Sequence, residues 1–155
     1  MKIRKADLSD AKAISELMLN DINLIKSKKY SREQILAMKD YASEDNIKKY
    51  LKKKNWKIFV AENKDKIIWI IGFEGNLLFS PYVADSENFV KDPYGERMLD
   101  FAEDKLRNSG ESIVKIISLD TTRNYFEKKG FKVAEKLVLG RKVKFNEFMM
   151  EKKLK

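Results

Sequence analysis

Asn124-Tyr125-Phe126-Glu127-Lys128-Lys129-Gly130-Phe131 is a short helical segment closed by Gly-Phe, with an apolar stretch on each side. Upstream, Ile113, Val114, Ile116, Ile117 and Leu119 lie between Gly110 and Asp120. β-Branched residues at that density predict a largely buried strand. Downstream, Phe131, Val133 and Leu137 to Leu139 predict another. Gly130 falls where a helix needs a left-handed residue just past its end. Strand, one short helix and strand therefore form a connected unit. Taken alone, the octapeptide reads equally well as a well-capped core helix.

Outward from this unit the elements follow in a definite order. Met1 to Ala6 alternates as a strand, and Asp7-Leu8-Ser9-Asp10 supplies cap residues for a helix whose apolar face is Ala13, Ile14, Leu17 and Met18. Ser31 with Gln34 fits a capping box ahead of a second helix carrying Ile35, Leu36 and Met38. Ser43 starts a third helical piece through Ile47, Tyr50 and Leu51. Trp56 to Glu62 and Lys66 to Phe73 read as strands joined by a turn at Asn63-Lys64-Asp65. Leu77 to Val83 is a further strand. Met98, Leu99, Ala102 and Leu106 mark the buried stripe of a longer helix ending near Ser109-Gly110. Phe145 to Leu154 closes the chain as a strand.

The chain has 155 residues, enough for one good core and too few for two ordinary domains, so a single domain over 1–155 is expected. No run of about eighteen uncharged apolar residues is present, which argues against a membrane span. Met1-Lys2-Ile3-Arg4-Lys5 lacks the apolar core of a signal peptide, and a cytoplasmic protein is expected. Cysteine and histidine are both absent. Disulfides, thiolate nucleophiles, Ser-His-Asp triads and imidazole bases are thereby excluded, and no metal site is expected. Carboxylates, Tyr, Lys, backbone amides and water make up the chemical repertoire. It suits a reaction that holds two reactants in line and moves one proton. The net charge of +9 points to an anionic partner or to surface solvation. No basic region is interleaved with stacking aromatics, so a nucleic-acid-binding module is only the lesser alternative.

In this order the whole chain resembles the Gcn5-related N-acetyltransferase family. Four segments carry the resemblance: Ile3-Arg4-Lys5-Ala6 with Ser9-Asp10 and Ala13-Ile14; Ile58-Phe59-Val60-Ala61-Glu62 with Ile71-Gly72-Phe73; Pro81-Tyr82-Val83 before a Gly-containing helix start; and Tyr125-Phe126-Glu127-Lys128-Lys129-Gly130-Phe131. The last looks like the family's Phe-Tyr-Glu-Lys-x-Gly-Phe segment. Met150-Glu151-Lys152-Lys153 looks like its closing strand. The resemblance implies an α/β (α+β) fold whose mixed, mostly antiparallel sheet splays between the fourth and fifth strands. It also implies an N-acetyltransferase that moves the acetyl group of acetyl-CoA to a primary amine by direct attack. The alternative is a non-catalytic CoA-binding protein of the same fold. The expected partners are acetyl-CoA and an amine acceptor, with room for a homodimer and no membrane or nucleic acid.

In that family the CoA pyrophosphate sits on backbone amides at the start of the helix after the fourth strand. Of the Arg/Gln-x-x-Gly-x-Gly/Ala signature only the final small residue, Gly95, is kept here. Pro93 stands where the first glycine belongs and Val90 where Arg or Gln belongs. Asp92 would cap the helix with Pro93 at its first position, where a missing N–H is tolerated. Proline still removes one donor from the phosphate cradle. Lys91 and Arg97 flank the site with positive charge. The residues expected to contact the cofactor are Tyr82, Val83, Lys91, Asp92, Tyr94, Gly95, Glu96, Arg97, Asp120, Asn124 and Phe126.

For the chemistry, the resemblance implies a base or water that takes the amine's proton and a tyrosine that protonates the leaving thiolate. Phe126 occupies the usual tyrosine position. Its neighbour Tyr125 is the nearby phenol, but adjacent helical residues point about 100° apart. Tyr125 is read either as the acid or as core packing, with Tyr82 and Tyr94 as substitutes. Glu74, just past the third strand, is read either as the proton acceptor or as a solvated charge. In this family the acceptor groove lies between the first helices and the last two strands, here near Asn20 to Tyr30 and Lys136 to Lys144. Lys26, Lys28, Lys29, Arg141, Lys142 and Lys144 make both walls basic. Local charge thus argues mildly against a polycation and leaves room for an acidic peptide or an anionic small amine.

Overall fold

In the computed structural model, residues 1–24, 26–83 and 93–155 are described. Strands β1 (Lys2–Lys5), β2 (Lys57–Asn63), β3 (Lys66–Glu74), β4 (Leu77–Val83), β5 (Ile113–Leu119), β6 (Lys132–Leu139) and β7 (Phe145–Lys153) pair into one 7-stranded sheet of order β1-β2-β3-β4-β5-β7-β6. Every neighbouring pair is antiparallel except β4 and β5, which run parallel. Helices α1 (Ala11–Leu24), α2 (Arg32–Tyr41), α3 (Glu44–Leu51), α4 (Pro93–Asn108) and α5 (Arg123–Lys128) complete the fold. The mixed, splayed sheet expected from the sequence is the one observed.

Period-two alternation divides the sheet between two cores. Ile58, Val60 and Ile70 pack with Ile14, Met18, Ile22 and Ile47 from α1 and α3. Ala61, Trp69, Ile71, Val114, Ile116, Phe148 and Met150 face the other way, onto Met98, Leu99, Ala102 and Leu106 of α4 and Phe126 of α5. With Val114, Ile116 and Ser118 buried on the α4 side, Ile117 and Leu119 of β5 must present their side chains on the α1 side. Along β7, Glu147 and Met149 share that side, in register with Leu119 and Ile117.

The element ends follow local chemistry. Ser31 and Gln34 form a reciprocal capping box at α2, and the Ser43 hydroxyl accepts the Asn46 N–H at α3. Asp7 and Asp10 also form a box, but it closes a 3-10 turn over Leu8–Asp10, and α1 begins only at Ala11. The turn brings the Asp10 carboxylate onto Arg4, with both guanidinium–carboxylate hydrogen bonds at 2.7 Å. At the end of α5, Gly130 has φ +93°, the Phe131 N–H donates to the Phe126 carbonyl and the Gly130 N–H to that of Glu127. This is a Schellman closure with its apolar contact, the Phe126 and Phe131 rings lying 5.6 Å apart. Lys64 and Asp65, at φ 49° and 61°, make the β2–β3 turn left-handed at both central residues, as a tight hairpin requires.

Candidate active site

β4 and β5 are paired only at Leu77–Lys115 and Leu78–Ile116. Asn76 fastens this end: its carbonyl accepts the Lys115 N–H at 3.0 Å and its Nδ2 donates to the Ile113 carbonyl at 3.0 Å. Beyond the fastened end no ladder joins the two strands. Between the pairs Ile70–Tyr82 and Gly72–Phe79, β4 sets Ser80 and Pro81 against the single residue Ile71. Such a bulge bends its strand and tolerates proline. The facing edges of β4 and β5 thus border a gap whose backbone donors and acceptors are free to bind an extended ligand.

The start of α4 and the end of α5 are brought together beside the sheet. α4 opens with Pro93 at its first position, and Gly95 is buried within its first turn. The Tyr94 hydroxyl accepts from Asn63 Nδ2 at 3.2 Å, while the ring packs on the core. Glu96 is ion-paired with Lys129 from the end of α5, and that hydrogen bond lowers the Glu96 pKa. Arg97 is exposed. At the exit of β5, Asp120 and Asn124 are exposed. Lys91 and Asp92 lie outside the described residues, as do the side chains of Tyr82 and Val83.

Phe126, expected among the cofactor contacts, is 0% exposed and packed between Tyr125 and Phe131. It offers a ligand no surface and instead anchors α5. Tyr125 packs against the same core, and its hydroxyl is buried. Glu74 is at the fastened end, opposite Leu77, and accepts a hydrogen bond from Trp56 Nε1 at 3.1 Å. The open end of β5 lies about 13 Å further along the sheet, at ~3.3 Å per residue from Lys115 to Leu119. Glu74 thus stands at the paired end of the two strands, with its carboxylate engaged by Trp56. The recess beside Trp56, lined by Tyr41, Tyr50 and Phe79, holds a cavity of only about 20 Å³. That is space for roughly one water.

On the α1 side of the gap the two expected groove walls meet. Gln34 Nε2 donates to the Lys144 carbonyl at 2.9 Å, and the Tyr30 and Phe145 rings are 6.4 Å apart. The Tyr30 hydroxyl is buried beside Thr121. Burial raises the Tyr30 pKa; Thr121 opposes the shift, and the negative charges of Asp120 and Glu147 add to it. Glu147 is half-buried, and desolvation raises its pKa as well. The lysines named from the sequence line the outside of the groove, and Glu147 is a half-buried carboxylate on its inner face.

A family model described as the acetyltransferase (GNAT) domain matches residues 26–154. The chain belongs to the GNAT family. Its members are acetyl-CoA-dependent acetyltransferases. Among solved structures, this GNAT chain is similar to a GCN5-related N-acetyltransferase from Rhodopseudomonas palustris at TM-score 0.85 and 18% identity, covering 99% of this chain and 95% of that one. It is similar to the PaiA N-acetyltransferase from Thermoplasma acidophilum in complex with coenzyme A at TM-score 0.77 and 19% identity, over 98% of each chain. The aminoglycoside 6'-N-acetyltransferase from Enterococcus faecium matches at TM-score 0.66 and 14% identity, over 100% and 98%. No curated protein sequence matches the chain.

Sequence reasoning about this GNAT domain set Tyr30 at the edge of the acceptor wall but passed over Glu147. Glu147 sits in a strand read only for its apolar residues, and the available signal was its place two residues from Phe145 and Met149 on one face. Among the described residues, no group of three or more Asp or Glu is placed to hold a metal ion, and none forms a helix long and apolar enough to cross a membrane.

Proposed function

We propose that this GNAT protein transfers the acetyl group of acetyl-CoA to a primary amine by direct attack. The observation that carries the reading is the parallel β4–β5 pair, fastened at two registers and open beyond them. Unpaired amides along the gap suit the amide-bearing pantetheine arm and a polarised thioester carbonyl. The start of α4 supplies backbone N–H groups and a positive dipole end for the pyrophosphate. Gly95 permits close approach, while Arg97 and the Lys129–Glu96 pair edge this end of the helix. Pro93 costs the cradle one donor, which weakens the hold on phosphate without abolishing it. Asp120 and Asn124, exposed at the β5 exit, would meet the pantetheine. The thiolate takes its proton from water, since Phe126 is buried where a tyrosine is usual.

The test has two arms. CoA should raise the melting temperature, because a ligand bound only by the folded state stabilises it by mass action. Acetyl-CoA should then be consumed with kanamycin, spermidine, tyramine or a lysine peptide as acceptor. Stabilisation without turnover on any amine would leave a non-catalytic CoA-binding protein. No stabilisation at millimolar CoA would remove the cofactor itself.

A further inference from the structure

We propose that Glu147 is the group that takes the proton from the attacking amine, directly or through one water; the assignment rests on the acetyl-transfer reading above. Position is the first argument. Glu147 pairs with Leu119 at the end of β5 that has left β4, so it stands one strand, about 5 Å, from the open part of the gap, at the open and not the fastened end. Its side chain projects on the α1 side, where Tyr30 and Gln34 bring the first helices onto the β6–β7 connection. Glu147 is thereby one strand from the gap and on the groove's face of the sheet.

Surroundings are the second argument. In register with Glu147 stand Leu119 and Leu137, and its same-face neighbours along β7 are Phe145 and Met149. The titratable groups beside it are the Tyr30 phenol, buried at its hydroxyl, and Asp120. Lys144 is turned to the Gly140 carbonyl at 2.6 Å, so its ammonium is already engaged. A carboxylate among apolar side chains and without an ion pair among the described residues is a poor structural choice and a good proton acceptor. Its raised pKa moves its basicity toward neutrality, in the direction a general base needs.

The step balances simply. The amine nitrogen bonds to the acetyl carbon, the carbon–sulfur bond breaks, and CoA leaves as a thiolate that takes a proton from water. The proton displaced from nitrogen passes to Glu147 and then to solvent.

Glu147→Gln tests the assignment with kanamycin, spermidine, tyramine and the lysine peptide as acceptors. Expected is a loss in kcat/KM on the order of 10²-fold with the amine the wild type uses best, and disappearance of the wild type's acidic limb from the pH–rate profile. CoA should still raise the melting temperature by the wild-type amount, and Glu147→Asp should recover part of the rate. A Glu147→Gln rate within a few-fold of an active wild type, with the acidic limb kept, overturns the assignment and leaves acetyl transfer standing. A wild type inactive on every amine removes both.

Discussion

Tyr125 and Phe126 differ by one position and by everything that follows from it. The Phe126 carbonyl closes the α5 cap, and its ring is sealed against Phe131. Tyr125 packs on the same core edge-on to Phe126, at 5.3 Å between ring centroids. Both rings pack on the core, and packing is the role we propose for Tyr125. Tyr125→Phe should therefore leave kcat within about threefold of wild type and change stability by roughly 1 kcal/mol or less, the scale of one hydrogen bond. Steady-state kinetics alongside thermal unfolding separates the roles: a 10²-fold fall in kcat at unchanged stability would make Tyr125 the acid. At this scale the sequence was legible where a residue's task is local. Gly130 announces its left-handed turn because few other residues adopt it at low cost. Glu147 shows in the sequence only its face, two residues from Phe145 and Met149, because the rest of its environment is made by Leu119 and Leu137, adjacent to it only once three strands have paired.

Among the elements, β4 carries the site, and its geometry depends on a glycine in the neighbouring strand. Gly72 faces Phe79, and a Cβ added there would lie 2.2 Å from the Phe79 ring. The ring is also held by Trp56 at 4.5 Å between centroids. With no room on either side, Gly72→Ala must displace Phe79, which immediately precedes the Ser80–Pro81 bulge. The expected cost is about 2 kcal/mol of stability from overpacking, together with weaker CoA binding as β4 shifts against the gap. Denaturant unfolding and CoA-dependent thermal stabilisation read the two effects, and an unperturbed variant on both would show that β4 does not rely on this contact. The strands themselves were readable from alternation, since period two survives in any sheet. Sequence gives Glu74 its strand but not which end of the β4–β5 pair opens. That depends on pairings between residues far apart in the chain.

Over the whole molecule, the α1 side and the first strand are tied by Arg4, which pairs with Asp10 beneath α1 and with Glu62 on β2. Asp10 is 7% exposed, and its hydrogen bonds to Arg4 lower its pKa. A carboxylate held below its unfolded value of about 3.9 contributes stability above that pH, and the contribution is lost as pH falls through the depressed folded value. Glu147 has the opposite sign: its raised pKa means that the folded state gains relative stability as pH falls through that raised value, and pays for a buried charge at neutral pH. One carboxylate is thus placed for the fold, and the other is held at the fold's expense in the cleft where a proton must move. Arg4→Met isolates the first. It leaves Asp10 buried without its partner, so stability at neutral pH should fall by about 3 kcal/mol, and acid unfolding should begin at higher pH than in the wild type. Circular dichroism across an acid titration tests this. A variant whose acid transition coincides with the wild type's would mean that Asp10 finds its stabilisation elsewhere, and that the tie between the first strand and α1 is not what holds this side of the sheet.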